Sequence, residues 1–268
     1  MYRLGFIGVG NMGEAILRGV LKGKVLQGSE IAVFDLNTAK CETLQAEFGV
    51  HAADSLDALI RTCSMLLLAV KPNVCADVIE KNREAFDGKA LLSIVTGWSG
   101  RKLAERLPSS TRILRVMPNT PAMVGEGMCV LEANDTLSAE ERSFAAALFG
   151  AVGKTMTVKE AMISAVIGVS GSGPAYVYMF IEALADGGVR AGLPRDKAYE
   201  LAAQTVLGSA KMVLETGKHP GALKDAVCSP AGTTIDAVAV LEKSGFRSAV
   251  IEAVDACVRK ALEMDSNI

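Results

Sequence analysis

Hydrophobic residues in the first part of the chain come in short runs of strand length, and helical patterns separate these runs. The runs lie at residues 4–7, 30–34, 65–70, 91–95, 112–117, 127–131 and 154–158. Several are unbroken, which is typical of strands that are covered on both faces. Such runs, alternating with amphipathic stretches, predict an α/β domain with a doubly wound, mainly parallel sheet.

From residue 160 onward the alternation ends, and only helical patterns follow. They cover residues 174–191, 194–216, 219–227, 232–243 and 246–264. Residues 161–181 carry no charge and match a membrane span in length. Gly168, Gly171 and Pro174 interrupt this segment, so we expect a buried, interrupted helix pair and no membrane insertion. We therefore expect a sheet domain at residues 1–158 and an all-helical domain at residues 159–268.

Composition excludes several classes of function. Of the 268 residues, 50% are hydrophobic, and the formal net charge is −2 with both signs mixed along the chain. The chain has no basic block, which argues against a nucleic-acid partner. Six scattered cysteines and two histidines predict no metal site and are typical of a reducing compartment. The N-terminus leads almost directly into a glycine-rich loop, so we expect no signal peptide and a cytoplasmic location.

The first strand ends in a glycine motif with a known chemical use. Gly8, Gly10 and Gly13 form a G-x-G-x-x-G between a predicted strand and a predicted helix. This context is typical of Rossmann-type dinucleotide binding, with the pyrophosphate at the helix N-terminus. Asp35 follows about 22 residues later, where an acidic residue binds the ribose of NAD. The alternatives are a glycine turn needed only for packing and an aspartate that caps a helix.

Two polar clusters interrupt the apolar helices of the second domain. Residues 170–174 read Ser-Gly-Ser-Gly-Pro and allow either a ligand or a neighbouring helix to approach closely. Residues 228–237 end one helix and begin another near Gly232. Ser229, Thr233 and Thr234 there offer hydroxyls beside free helix N–H groups, which suits a small carboxylate. An ordinary helix cap is the alternative interpretation.

Other catalytic patterns are missing from the sequence. It contains no nucleophile elbow, zinc spacing or phosphate-binding lysine loop. With a nicotinamide cofactor the protein mainly binds and orients the reactants. Hydride transfer to a C=N bond fits such a site, because an iminium is already electrophilic and needs little acid catalysis.

The motifs at residues 4–13, 69–72, 115–121, 168–176 and 223–234 together resemble those of pyrroline-5-carboxylate reductases, and the similarity covers essentially the whole chain. The resemblance implies that the protein reduces Δ1-pyrroline-5-carboxylate to L-proline with NADPH or NADH, the final step of proline biosynthesis. It also implies that the helical domain interlocks with a second copy in a homodimer. Such dimers assemble further, often into decamers.

The resemblance also assigns roles to residues. The cofactor would be held by Ile7, Gly8, Val9, Gly10, Asn11 and Met12 at the pyrophosphate, by Ser55, and on the nicotinamide side by Ala69, Val70, Lys71, Pro72, Val95, Thr96 and Gly97. Asp35, which the spacing after the glycine motif predicts and not the resemblance, would bind the ribose. The substrate would be held by Ser229, Gly232, Thr233, Thr234 and Glu160, and Thr234 would be the catalytic hydroxyl donor.

The chain departs from the family pattern at a few positions. Ala231 stands where many members have a second glycine, and Ala226 where some have asparagine. The turn at residues 34–37 replaces a Ser/Thr-rich turn, which leaves the choice between NADPH and NADH open.

Two rival interpretations remain open. A β-hydroxyacid dehydrogenase or another imine reductase would share the fold plan. The hydroxyacid enzymes need a catalytic lysine on the first helix of the second domain, and residues 168–184 contain none. A non-catalytic dinucleotide sensor would use the helical domain only to dimerise, and such a protein would not require the hydroxyl-rich loop at residues 229–234.

Overall fold

The computed structural model describes residues 1–267, with side chains up to Asp265. Within these residues, the first half of the chain forms one eight-stranded sheet in the order β3-β2-β1-β4-β5-β6-β7-β8. The strands are β1 Tyr2–Ile7, β2 Ile31–Phe34, β3 His51–Ala52, β4 Cys63–Leu68, β5 Ala90–Ser93, β6 Arg112–Met117, β7 Gly127–Glu132 and β8 Gly153–Val158. Neighbouring strands are parallel, except that β6 and β7 pair antiparallel.

The order of the strands confirms the predicted fold class. Along the sheet, β1, β2 and β3 run outward in one direction, and β4, β5 and β6 run in the other. The direction of winding therefore reverses between β1 and β4. Doubly wound sheets bind ligands in the crevice at the carboxyl ends of the strands at this reversal.

The helices agree closely with the periodicity of the sequence. In the sheet region they are α1 Asn11–Lys22, α2 Thr38–Phe48, α3 Leu56–Thr62, α4 Pro72–Lys81, α5 Gly100–Arg106 and α6 Ala139–Gly150. After the sheet come α7 Ile163–Val166, α8 Gly173–Arg190, α9 Arg195–Thr216, α10 Pro220–Val227, α11 Thr233–Lys243 and α12 Phe246–Asn267.

Some elements differ from the expectation. The pattern at residues 73–86 predicts one helix, but α4 ends at Lys81 and a separate 3₁₀ turn covers Arg83–Phe86. The strand expected at residues 65–70 begins and ends two residues earlier, as β4. The short elements β3 and α3 were not expected, because β3 has two residues and α3 seven, too few to show a period.

The core lies on both faces of the sheet, and this explains the unbroken apolar runs. Along β4, Leu67 packs on one face with Phe6, while Leu66 and Leu68 pack on the other face with Ile7. All five side chains are at most 1% exposed. Each buried aliphatic or aromatic side chain contributes about 1.5–3 kcal/mol, so the sheet is stabilised from both sides.

The chain divides into two compact units. The first comprises Met1–Gly171 together with α12 from Cys257 onward, and the second comprises Ser172–Ala256. The sheet ends at Val158, where we expected the domain boundary. Ile163 nevertheless packs with Met117, Val130 and Val158, so the residues up to Gly171 belong to the first compact unit. The domain boundary at residues 158/159 stays a prediction.

The uncharged segment is helical over nearly all of its length, but it is not buried within this chain. A 3₁₀ turn at Glu160–Met162, then α7, a π-helical turn at Ile167–Gly171 and α8 follow one another. Only 17% of its most apolar 18-residue stretch is buried, so the expectation of a buried helix pair is wrong for the single chain. By length and composition, Glu160–Arg190 is the one stretch among the described residues that could cross a membrane.

A buried cluster of charges joins the end of α12 to the sheet within the first unit. The side chains of Arg115 on β6 and Glu132 on β7 are 1% and 5% exposed, and their charged atoms lie 4.0 Å apart. The guanidinium also lies 3.8 Å from Asp265. Burial raises the pKa of the Glu132 carboxyl, and the nearby Glu160 raises it further. At these distances the Arg115 charge has carboxylate neighbours but no direct hydrogen bond to them.

Candidate functional site

The glycine loop has the geometry that dinucleotide binding requires. Gly8 has a φ of +95°, and a Cβ there would lie 2.8 Å from the Ala69 carbonyl oxygen. A Cβ on Gly13 would lie 2.5 Å from the Gly8 carbonyl oxygen, so a larger residue fits at neither position. A Cβ on Gly10 would meet nothing within 4 Å, and no side chain caps α1 at this residue. The open space and the uncapped helix start fit a pyrophosphate.

Asp35 holds the glycine loop against the end of β2. The Val9 backbone N–H donates a hydrogen bond of 2.8 Å to Asp35 Oδ2, and the Asn37 N–H donates one of 3.0 Å to Oδ1. The cap of α2 is Asn37, whose side chain accepts from the Lys40 N–H, so the capping alternative for Asp35 is wrong. Each carboxylate oxygen keeps a lone pair that can accept from a ribose hydroxyl.

The basic side chains around this turn already have acidic partners. Lys40 Nζ lies 2.7 Å from Glu14 Oε2, and Arg18 lies 2.7 Å from both Glu14 and Glu47. The hydrogen bond from Lys40 lowers the pKa of the Glu14 carboxyl, and Arg18 adds to this effect. A further phosphate would therefore have to compete with these carboxylates for the two cations.

The loops expected on the nicotinamide side leave two neighbouring strands. After β4, the Ala69 N–H donates to the Ile7 carbonyl at 2.9 Å, which continues the pairing of β4 with β1. Lys71 caps α4 and is exposed, and Pro72 is the first residue of that helix.

After β5, the turn that contains Val95, Thr96 and Gly97 is closed by the Trp98 N–H, which donates to the Val95 carbonyl at 3.4 Å. Gly97 has a φ of +77°, which favours glycine. Trp98 is not among the residues expected from the sequence; its indole Nε1–H donates to the Pro72 carbonyl at 3.2 Å and so joins the two loops. Its position as the single tryptophan, directly after the expected cofactor residues, was the available signal.

Ser55 and Glu160 lie in the first unit but have other visible contacts. The Ser55 hydroxyl caps α3 by accepting from the Ala58 N–H at 3.1 Å. Glu160 begins the 3₁₀ turn after β8, close enough to Glu132 to raise its pKa. Neither contact tests the roles that the resemblance assigns to them.

In the second unit, a tight turn connects α10 to α11. The Gly232 N–H donates to the Ser229 carbonyl at 3.1 Å, and Ala231 takes up a left-handed backbone with a φ of +56°. A Cβ on Gly232 would lie 2.4 Å from Ser229 Oγ, so a larger residue there would force the Ser229 side chain to rotate.

The start of α11 carries unused hydrogen-bond donors. Gly232 is the N-cap of this 11-residue helix, and no side chain caps it. In the described part of the chain, the hydroxyls of Ser229, Thr233 and Thr234 have no hydrogen-bond partner. An ordinary serine or threonine cap, the alternative considered above, is therefore not what this turn contains. Free N–H groups beside hydroxyls form a donor set for a small carboxylate.

The comparisons with known proteins agree with this geometry. The family model for pyrroline-5-carboxylate reductase dimerisation matches residues 160–264, and the model for coenzyme F420-dependent NADP oxidoreductase matches residues 3–97. Pyrroline-5-carboxylate reductase of Escherichia coli is 46% identical to this chain, over 99% of both proteins. The chain belongs to the pyrroline-5-carboxylate reductase family.

Solved structures of the reductase family have the same fold over nearly the whole chain. The reductase of Coxiella burnetii matches with a TM-score of 0.91 and 33% identity, and the match covers 98% of each chain. The Plasmodium falciparum enzyme, solved with NADP bound, matches with a TM-score of 0.88 and 32% identity, again over 98% of each chain.

The expected site residues fall into the two compact units. All the expected cofactor residues and Glu160 lie in the first unit. Ser229, Gly232, Thr233 and Thr234 lie together in the second unit, at the turn before α11. Their roles in this reductase remain predictions.

Proposed function

We propose that this protein reduces Δ1-pyrroline-5-carboxylate to L-proline, with NADPH or NADH as the reductant. The observation that carries the proposal is the uncapped start of α11, where three hydroxyls have no partner within the described chain. The substrate is a small cyclic imine with one carboxylate, and this donor set matches that chemistry. Membership of the reductase family supports the same reaction.

On the cofactor side, the residues of the first unit bind and orient. The backbone from Ile7 to Met12 would hold the pyrophosphate at the start of α1, where Gly10 leaves room for it. Asp35 would accept from the ribose while it holds Val9. The loops after β4 and β5 would line the nicotinamide, and the reduced nicotinamide would supply the hydride.

On the substrate side, the turn before α11 would fix the carboxylate. The Thr233 N–H and the Ser229 hydroxyl would bind its oxygens, and Gly232, whose own N–H closes the turn onto the Ser229 carbonyl, would leave room for the carboxylate. Thr234, one residue further into the helix, would donate its hydroxyl to the ring nitrogen. As hydride reaches the carbon of the neutral imine, the C=N π pair moves to nitrogen, which becomes an amine by taking one proton that water supplies through the Thr234 hydroxyl. A donor at that nitrogen becomes stronger in the transition state and therefore speeds the step. Glu160 would make a further substrate contact.

The protein would act as a cytoplasmic homodimer that assembles further, into a decamer for example, without membrane insertion. The apolar surface of the second unit supports the homodimer. Met179, Phe180 and Val250 are exposed and line a groove of about 500 Å³ with Tyr176 and Phe246. An exposed apolar surface of this kind is typical of protein–protein contacts, and the family model for dimerisation covers it.

The oligomer is tested by sedimentation of the purified protein at assay concentrations. We expect a dimer or a larger species, and Phe180→Asp should weaken the assembly and the activity together. A monomer with full activity would contradict the dimer.

The activity is tested by oxidation of NADPH and NADH by the purified protein, with and without Δ1-pyrroline-5-carboxylate. We expect oxidation only with the imine, and L-proline in an amount equal to the cofactor consumed. A β-hydroxyacid offered with the oxidised cofactor should give no reduction. Cofactor binding without turnover of the imine would support a dinucleotide sensor instead.

A further inference from the structure

The two loops that follow β4 and β5 separate soon after their strands end. The Ile94 N–H donates to the Leu68 carbonyl at 3.1 Å, in continuation of the parallel register of Leu68 with Ser93. Beyond this bond one loop turns into α4 and the other into the turn at Val95. Under the proposed function these loops line the nicotinamide, so their spacing decides the shape of that part of the site.

Four residues further along each loop, a side chain connects them again. The indole Nε1–H of Trp98 donates to the Pro72 carbonyl at 3.2 Å. The Trp98 side chain is buried, with 1% exposure for the residue, and it packs in the core cluster that contains Cys75 and Leu103. The Arg106 guanidinium lies over the ring, 5.2 Å from its centroid, and holds the indole from the α5 side.

This bond cannot be replaced by a bond from the backbone of Pro72 itself. Proline has no N–H, so the first residue of α4 can accept a hydrogen bond but cannot donate one. A hydrogen bond between Pro72 and the loop after β5 must therefore use the Pro72 carbonyl as the acceptor, with a donor from that loop. A buried tryptophan supplies a rigid side chain with a single N–H donor.

We propose that Trp98 is a positioning residue for the reduced dinucleotide. Its indole N–H holds the Pro72 carbonyl and thereby fixes the spacing between the loops after β4 and β5. The proposal rests on the proposed function for the identity of the ligand. Trp98 itself touches no reacting atom in this scheme, since it acts through Pro72 and through the turn that Gly97 forms.

The sharpest test removes only the N–H. Trp98 is the one tryptophan in the sequence, so production in a tryptophan auxotroph supplied with β-(3-benzothienyl)alanine exchanges this indole alone. In that side chain a sulfur atom replaces the N–H, and the size of the rings is retained. A lost hydrogen bond of ordinary strength corresponds to a rise in the KM and Kd for NADPH of about two- to tenfold. We expect this rise, with kcat and the KM for the imine within about twofold of wild type.

Two substitutions separate positioning from general loss of stability. Trp98→Phe removes the N–H and part of the ring, so we expect a raised KM for NADPH together with a lower melting temperature. Phe86→Leu trims a fully buried side chain of the same core cluster, away from both loops. It should lower the melting temperature with no change in the KM for NADPH.

The outcomes are distinct. If the benzothienyl protein binds NADPH as wild type does, or if Phe86→Leu raises the KM for NADPH as much as Trp98→Phe, the positioning role is wrong. In both cases the wild-type enzyme would still reduce the imine, and the proposed function would stand. Failure of the wild type to reduce the imine would refute the proposed function, and the Kd for NADPH, measured from the fluorescence of the bound reduced nicotinamide, would still test the positioning role.

Discussion

Asp35 should set the cofactor preference of this enzyme, and Asp35→Ser should shift that preference toward NADPH. The Asp35 carboxylate is partly exposed and stands at the end of β2, where the adenosine ribose is expected. NADPH carries an additional phosphate on this ribose, with a charge near −2. The nearby cations Lys40 and Arg18 are already paired with Glu14 and Glu47. We therefore expect the Asp35 carboxylate to disfavour this phosphate, and wild type should use NADH competently.

The size of the shift follows from Coulomb's law. A unit charge and a double charge about 5 Å apart repel each other by about 1–2 kcal/mol in a water-like dielectric, which corresponds to a factor of about 5–30. Asp35→Ser also removes the acceptor for the Val9 N–H, a loss of about 1 kcal/mol. That loss weakens both cofactors equally, so it cancels in the ratio of their specificity constants.

The measurement is kcat/KM for NADPH divided by kcat/KM for NADH, at constant ionic strength. We expect the ratio to rise about tenfold in Asp35→Ser and to rise also in Asp35→Asn, which keeps an acceptor for Val9. Asp57→Asn is the matched control, because it also removes one carboxylate charge. Asp57 is exposed and pairs with Arg61. A wild type that ignores NADH, with the same ratio in Asp35→Ser, would refute the reasoning.

Further predictions concern the substrate turn and the stability of the first unit. Thr234→Ala should lower kcat by about 10²–10³-fold with normal cofactor affinity. Ser229→Ala should mainly raise the KM for the substrate. Full turnover in Thr234→Ala would show that Thr234 has no catalytic role and serves only the structure of the helix. Ala231→Gly should raise the free energy of unfolding by about 0.5–1 kcal/mol, because its φ of +56° is costly for alanine, and an unchanged denaturation midpoint would contradict this. Glu141 forms a capping box and bonds Arg112, which lowers its pKa in the folded state. Its contribution of about 1–2 kcal/mol is therefore present at neutral pH and lost as the pH falls below about 4.5, so denaturation curves of wild type and Glu141→Gln should differ at pH 7 and converge in acid.

The regular elements were predictable because their signals are local. Leu66, Leu67 and Leu68 are buried on alternate faces of the sheet, and such a strand reads as an unbroken run in the sequence. The glycine motif was equally local, since Gly8 and Gly13 are fixed by contacts within one strand–turn–helix unit and its neighbouring strand.

Contacts between distant segments were not predictable. The second partner of Asp35 is Val9, 26 residues earlier, and no periodicity indicates that bond. The sequence predicts only an ordinary core residue at Trp98, and its hydrogen bond to the Pro72 carbonyl is known from the structure alone. The uncharged segment looked like buried core because composition cannot tell a surface covered within the chain from one left open for a partner.

The sequence order of the first unit has a consequence for its synthesis. This unit contains both the sheet and the end of α12, so its last part leaves the ribosome after the whole second unit. During translation Arg115 and Glu132 are both present before Asp265 has been synthesised, so the guanidinium lacks its second carboxylate neighbour until that part of α12 exists. A nonsense mutation before the Asp265 codon would therefore leave the buried Arg115 guanidinium without one of its two carboxylate neighbours.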